Sequence, residues 1–377
     1  MRVTNRIVEL VSTGEAASRA DLARALHVSP STISLHVQQL LDDDVLYEHS
    51  QGASRGGRRP RVLRLRDEAG YVGVAELGSH HARLGIIGIS GDVRQVQDLT
   101  IAAAEGPEPT LERLATALAE LGAGEPGRLR AVALAVAAPV DFTRGTVIQA
   151  SRLASWNLFP VAEFLHERLG VAVVIENDAN AMALGEHLTR AADYDSVTVK
   201  AGTAIGSGLI IGGQVYRGST FGAGDITHTR VPSAGDAPCS CGNLGCLETV
   251  ASGAGIVRLL QEQGAQVAGT QEMVAQAAQG LPTATSLVRA AGGYLGEVLA
   301  TVVNFVNPGA VYLGGVLSTV EPFVAAVRSR LYEGCHPLVT RHLLIEPTLS
   351  GADAGVIGAG RLALSAVFSH HIDEGKS

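Results

Sequence analysis

SVTVKAGTAIGSGLIIGG, residues 196–213, sets two apolar runs on either side of a glycine-rich turn. Short alternating runs of this kind read as two β-strands with a tight connection. The same texture recurs from Tyr71 onward, in VGVAELG, RLGIIGI, LRAVALAVAAPV, VAVVIEND and AVYLGGVL. Amphipathic stretches such as 110–121 and 158–169 alternate with these strands, which predicts βαβ organisation. Glycine-rich turns follow strands at two separate places, 202–208 and 312–315, and predict a two-lobed body with a cleft.

The bulk composition agrees. A chain of 377 residues is long enough for two or three domains. Apolar residues make up 46%, aromatics only 4%, and there are 45 glycines. That suits an Ala/Val/Gly-rich α/β protein and not a disordered or fibrous one. The longest apolar run, AVALAVAAPV at 131–140, is too short to span a bilayer. MRVTNRIVEL at the start is an amphipathic helix pattern without a signal-peptide core. Four cysteines in so large a chain argue for a reducing compartment. The expectation is a cytoplasmic protein with no membrane partner.

Charge is uneven. Residues 1–66 hold ten arginines against seven acids, net +3, while the remainder holds 19 basic and 30 acidic residues, net −11. A basic head on an acidic body is the pattern of a nucleic-acid-binding module fused to something else. Within the head, Val3, Ile7, Leu10 and Val11 form one apolar stripe. Ser18 caps a second helix with Leu22 and Leu26 inward, and Ser29-Pro30 opens a third that buries Ile33, Val37, Leu40 and Leu41. Ser31, Thr32, Ser34, Leu35, Gln38 and Gln39 are left outside. Small polar side chains at the start of the last helix suit a helix-turn-helix reading bases and phosphates; helix pattern alone fits a plain three-helix bundle equally. The segment HSQGASRGGRRPRVLRLR (49–66) weighs for DNA: it holds six arginines and no acid, and Leu63 and Leu65 alternate with Arg64 and Arg66. Two strands around its glycine-rich loop make a wing, and GGRRP (56–60) resembles the Gly-Arg-Pro element that AT-hook-type segments insert into the minor groove. Ser31, Thr32, Ser34, Gln38, Arg55, Arg58 and Arg59 are the expected DNA contacts.

The body carries an ordered set of motifs: IENDANA (175–181), GTAIGSG (202–208), GAGDITH (222–228), CSCGNLGCLE (239–248), VYLGGVL (311–317) and GADAGVIGAG (351–360). Together they resemble the ROK proteins (repressors, open reading frames and kinases) over essentially the whole chain. The resemblance implies a two-lobed actin-like ATPase fold of the sugar-kinase kind, here with a winged helix in front. It places the DNA-binding domain at 1–66, an N-terminal lobe at 70–185 with a helix from 355–370 packing back on it, and a C-terminal lobe at 186–354.

Cys239, Cys241 and Cys246 with His228 offer three thiolates and an imidazole, a closed tetrahedral set suited to structural zinc. A Cys-x-Cys redox pair, an iron–sulfur site and unligated thiols are the competing readings. Cys335 stands alone. By the resemblance, His228 and Glu248 contact sugar hydroxyls, joined by Asn177 and Asp178. Where the family has a sugar-contacting asparagine this chain has Arg152, within SRLASW, and the family glutamate before the histidine is Asp225. Arg152 suggests an anionic ligand such as a sugar phosphate, or an ion pair with a neighbour.

In kinases of the family the aspartate matching Asp178 is the general base. The phosphate loops depart from the kinase pattern, however. The family's Asp-x-Gly-Gly-Thr is here Glu76-Leu77-Gly78-Ser79-His80, and Ala204 and Ser207 fill glycine positions of the second loop. Side chains there spoil a cradle that needs close backbone approach. The sequence therefore predicts no catalysis, with Asp178 a vestigial base. The expected protein is a sugar-responsive regulator, a homodimer or homotetramer bound to an operator and to a sugar or sugar-phosphate effector. An active ATP-dependent sugar kinase is the alternative.

Overall fold

The structure, a computed structural model, describes residues 3–12, 16–49 and 61–368. Three helices open the chain: α1 (Val3–Ser12), α2 (Arg19–Leu26) and α3 (Pro30–Asp42). The side chain of Ser18 accepts from the Asp21 N–H and that of Ser29 from the Thr32 N–H, so both caps act as the sequence suggests. Strands β1 (Leu46–His49) and β2 (Val62–Leu65) pair antiparallel, Leu46 opposite Leu65 and His49 opposite Val62. Ile7, Leu22, Ile33, Val37 and Leu63 are buried between them, whereas Leu26 and Leu41 are only partly covered. The expected loop arginines Arg55, Arg58 and Arg59 lie outside the described residues.

The body begins with β3 (Tyr71–Leu77), β4 (His81–Gly88), β5 (Val93–Thr100), α4 (Pro107–Gly122), β6 (Leu129–Val136), a small hairpin β7 (Val140–Asp141) and β8 (Thr146–Val147), α5 (Val161–Leu169), β9 (Ala172–Asn177) and α6 (Asp178–Thr189). It continues with β10 (Ser196–Ala201), β11 (Ile205–Ile211), β12 (Gln214–Val215), α7 (Glu248–Ala251), α8 (Gly253–Glu262), α9 (Thr270–Ala278), α10 (Pro282–Val306), β13 (Ala310–Gly314), α11 (Glu321–Gly334), α12 (Pro337–Thr340), β14 (Leu344–Pro347) and α13 (Ala354–Val367).

Two five-stranded sheets result, ordered β5-β4-β3-β6-β9 and β12-β11-β10-β13-β14. In both, the first three strands in chain order form an antiparallel meander and the last two add in parallel beside the first. The lobes are therefore two copies of one topology, and the strand that opens each lobe, β3 or β10, lies at its centre.

Alternation in LRAVALAV explains how the first sheet is sandwiched. Val132, Leu134 and Val136 point to the face where Leu111, Leu114 and Leu118 of α4 and Leu165 of α5 pack. Ala131, Ala133 and Ala135 point to the opposite face, where α13 lies with Val356, Ala359 and Ala363. Small residues on one face of a strand and large ones on the other set how closely each helix approaches. The second sheet packs β10 and β13 against α10 and α11 through Val197, Val199, Val311 and Leu313.

Helix α10 is the one helix among the described residues that is long and apolar enough to cross a bilayer, a length the short apolar runs do not reveal. Half of its most apolar stretch is buried against the second lobe, with Val288, Leu295, Leu299 and Val303 in that core.

The two helices that end the lobes exchange places. Helix α6 packs on β10 and β11 of the second sheet, α13 on β3 and β6 of the first, and the two cross each other. Glycines stand at the crossing. A Cβ on Gly185 would overlap the Ala354 carbonyl, and one on Gly358 the Ala181 carbonyl. Glycine in a helix costs about 1 kcal/mol relative to alanine, so Gly358→Ala would stabilise an unobstructed helix. Here the overlap is with backbone, which cannot swing away, and forced overpacking costs about 1–3 kcal/mol. Gly358→Ala is expected to lower stability on chemical denaturation; a rise would mean the helices are not held this closely.

Candidate functional site

The cysteine box lies against the segment that carries His228. Backbone N–H groups of Leu247 and Glu248 donate to Thr229 and Thr227 carbonyls at 2.8 and 3.0 Å, and the Gly245 N–H to Ala237 at 2.8 Å. Gly242 and Gly245 take φ of 91° and 74°, left-handed values that let the loop turn back sharply. The result brings His228, Cys239, Cys241 and Cys246 together, with all four potential ligand atoms within 4.8 Å of one another. Cys239 Sγ lies 3.5 Å from His228 Nδ1, and Cys241 Sγ 3.7 Å from Cys246 Sγ. Three sulfurs and a nitrogen converging on one point could hold a metal ion. Without one the thiols compete for charge: burial first, then Cys241 and Cys239, push the Cys246 thiol up to about 12. Cys335 is apart from this group, buried with its thiol 3.6 Å from the Ala300 carbonyl.

Glu248 starts α7 immediately after the box and is buried. Its Oε2 accepts from the Ile205 N–H at 3.1 Å, at the start of β11, and its Oε1 is paired with Arg152. Ser151 Oγ sits 3.1 Å from Ser240 Oγ beside that pair. The SRLASW segment of the first lobe is thus pinned to the cysteine loop of the second, with Trp156 anchored by a bond from its indole N–H to the Ala103 carbonyl at 2.9 Å.

Asn177 and Asp178 stand at the junction of β9 and α6. Asn177 is the N-cap: its Oδ1 accepts from the Ala179 and Asn180 N–H groups at 3.0 and 3.1 Å, and its Nδ2 donates to the Ala138 carbonyl at 3.1 Å. The carboxylate of Asp178, almost fully buried, accepts from Lys200 Nζ at 2.7 Å, and the same ammonium is paired with Glu76. Glu176, one residue before the cap, is buried and paired at 2.6 Å with Arg217, whose guanidinium lies 4.0 Å from the Phe142 ring centre. Asp225 is exposed; its Oδ1 accepts from the Thr227 N–H at 3.3 Å, and it borders an apolar groove with Val302, Phe305 and Val306. The Ser207 hydroxyl donates to the Gly224 carbonyl within the same loop system.

The structure therefore gathers Asp178 and Glu248 at the β10–β11 hairpin, but each arrives already matched with a cation. Lys200, Arg217 and Glu176 belong to this arrangement and were not singled out by sequence. For Lys200 the available signal is a lone charge in VTVKAG, an otherwise apolar strand leading into a glycine turn.

In the head, Ser31 and Ser34 in the N-terminal half of α3 and Gln38 further along the same face are exposed, and Thr32 is partly so. Ser34 Oγ donates to the Pro30 carbonyl at 2.8 Å and Gln38 Nε2 to Asp42 at 2.8 Å. Leu35 on the same face is 69% exposed.

The ROK family pattern matches residues 71–366. The chain belongs to the ROK family. A xylose repressor of Bacillus spizizenii is 28% identical over 360 residues, 94% of this chain and 92% of that one. Two Caldicellulosiruptor relatives are matched over only 65% of their own length. Among solved structures, a ROK family transcriptional regulator described as a homologue of the Escherichia coli MLC protein superposes over 97% of this chain and 96% of its own, with a TM-score of 0.82 and 23% identity. A ROK glucokinase from Streptomyces griseus, solved with glucose and AMPPNP, covers 78% of this chain and 99% of its own at a TM-score of 0.67 and 28% identity. The sugar kinase thus corresponds to the body alone, and the regulator's fold extends over the head as well.

Since Asn177 spends its oxygen on the first turn of α6, Asn177→Ala is expected to cost about 1 kcal/mol of stability, the ordinary worth of an N-cap. Urea unfolding of the two proteins measures it, and identical midpoints would free Asn177 for a purely ligand-directed role.

Proposed function

We propose that this ROK protein is a sugar-responsive transcriptional repressor: a winged helix-turn-helix binds operator DNA, and a sugar binds between the lobes of a kinase-like body that no longer transfers phosphate. The observation that carries the reading is the head itself. Three helices, the second and third capped by Ser18 and Ser29, and an antiparallel hairpin precede a sugar-kinase-like body and share one apolar core with it, which holds Ile7, Val8 and Val11 together with Ile87, Ile89, Val367 and Phe368. Relatives named as xylose repressors support the repressor reading. In this reading Ser31, Thr32, Ser34 and Gln38 face base edges and phosphates, Arg55, Arg58 and Arg59 reach the minor groove, and the chain acts as a homodimer or homotetramer on a two-fold operator in the cytoplasm.

His228, Cys239, Cys241 and Cys246 hold a structural zinc. A tetrahedral zinc with bonds of about 2.3 Å to sulfur and about 2.0 Å to nitrogen sets sulfurs roughly 3.8 Å apart and sulfur roughly 3.5 Å from nitrogen. The observed 3.7 and 3.5 Å agree. Four protein ligands close the shell, so the ion clamps the loop that carries Glu248 and does no chemistry. Sugar hydroxyls are met by Asp178, Glu248 and His228, with Asn177, Asp225 and Arg152 at the margins. Arg152 already neutralises Glu248, so its charge is committed, and a neutral sugar fits better than its phosphate.

A gel shift with the full chain on DNA upstream of its own coding region tests the whole. Specific binding is expected, weakening steeply with salt as arginines release counterions. Xylose, the first sugar to try, or a neutral hexose or N-acylated amino sugar should weaken it at least tenfold. Gln38→Ala should relax base preference, whereas Arg58→Ala should weaken all sequences alike. ATP consumption on the same sugars with no specific shift would return the protein to the kinases.

Metal analysis should find a single zinc per chain, lost in Cys246→Ser. Because the ligating thiols must be deprotonated, zinc affinity should fall as pH drops below neutral. A pH-independent affinity, or full metal content in the variant, would remove the thiolate shell.

A further inference from the structure

Glu76 and Lys200 occupy the same place in the two copies of the lobe topology. Each is the next-to-last residue of the central strand that opens its lobe, β3 or β10, and each is followed by one apolar residue and a glycine. Across the cleft their side chains meet: Lys200 Nζ is bonded to Glu76 and, at 2.7 Å, to Asp178 Oδ2 at the start of α6. All three side chains are largely buried, with 24, 13 and 10% of their surface exposed for Lys200, Glu76 and Asp178. Glu76 also lies against Gly355, in the first turn of α13, where a Cβ would strike its carboxylate.

Two buried carboxylates facing one site either share a proton or take a cation between them. In a phosphoryl-transfer site such a pair is filled by a hydrated divalent ion held through oxygen atoms. Here the ammonium fills it, hydrogen-bonded to each side. Burial pulls the Lys200 pKa down, but Asp178 and then Glu76 push it up and prevail, so the ammonium remains charged throughout the neutral range.

We propose that Lys200 is a resident cation that takes the place of a divalent metal between Glu76 and Asp178, making the cleft a ligand site that works without magnesium. Two consequences follow. Nucleotide phosphates lose the ion that would bridge them to the protein. Asp178 is left able to accept a hydrogen bond from a sugar hydroxyl but is poorly placed to remove its proton, because its charge is already compensated. The proposal concerns the same cleft as the sugar-sensing reading but does not use the DNA-binding head. Failure of operator binding and failure of the experiment below are therefore separate results.

Manganese, observed by the loss of its free-ion electron paramagnetic resonance signal, is the probe, with zinc-replete full-length protein in every case. The wild-type chain should bind no more manganese than Lys200→Met/Asp178→Asn. Lys200→Met alone should gain a site at least tenfold tighter than either, and manganese should raise its melting temperature while leaving that of the wild type unmoved. Should Lys200→Met not fold, Lys200→Gln, which is one atom shorter but keeps a neutral hydrogen-bond donor, carries the same expectation. A wild-type chain that binds manganese and loses it in Asp178→Asn overturns the proposal. So does a folded Lys200 variant that gains no site.

Discussion

Helices α6 and α13 touch backbone to backbone, and the placement of everything else in the body follows from that contact. Each helix ends one lobe and packs on the sheet of the other, so their crossing is the joint of the molecule. With side chains at Gly185 or Gly358 the helices would stand apart, and both sheets would lose their lids of α6 and α13. The alanine faces of β6 serve the same end, since Ala131, Ala133 and Ala135 let α13 sit low on the first sheet. Asp178, first residue of α6, is thereby carried to the edge of the second lobe, within reach of Lys200.

The cleft between the lobes is crossed by opposite charges. Lys200 reaches Glu76 from below, Arg217 reaches Glu176, and Arg152 reaches down to Glu248. Removing one member of such a pair strands its partner, so these links resist disruption more than their net worth suggests. A polyol that enters must offer its hydroxyls to carboxylates that already have partners. Neutral hydroxyls can share a carboxylate's remaining lone pairs without displacing the cation. An added phosphate would instead draw the cations away from their acids. The arrangement favours ligands that join the network over ligands that break it.

Much of this was legible in the sequence because it rests on local rules. Ser18, Ser29 and Pro30 mark helix starts by capping and ring geometry, and the structure starts α2 and α3 there. The gathering of His228 with Cys239, Cys241 and Cys246 was legible because CSCGNLGCLE has the residue types and the glycines that such a loop requires. The duplicated sheet order was not legible, since nothing in a strand's own residues names its neighbour. An ion pair was one of two readings of Arg152, though its partner was not named; the Lys200–Glu76 pair was not legible, because the two are 124 positions apart and only the fold sets them opposite. Asn177 was read as a sugar contact, and the structure shows its oxygen capping α6, a role that motif matching does not reveal.

Helix α13 joins the cleft to the head. Its first turn lies under Glu76 at Gly355, and its last residues, Leu364, Val367 and Phe368, share a core with Ile7, Val8 and Val11 of α1. Fourteen residues of helix span roughly 21 Å, so one element touches both the ionic network and the N-terminal head. Packed this closely, with glycine contacts at Gly355 and Gly358, the helix transmits a displacement at one end more readily than the packing around it can absorb it. On the regulatory reading proposed above, a ligand that bound one setting of Glu76 and Lys200 better than another would bias α1 through this helix. Any such response is limited to the difference in ligand affinity between the two settings. A sugar that merely filled the cleft, however tightly, would leave the head where it was.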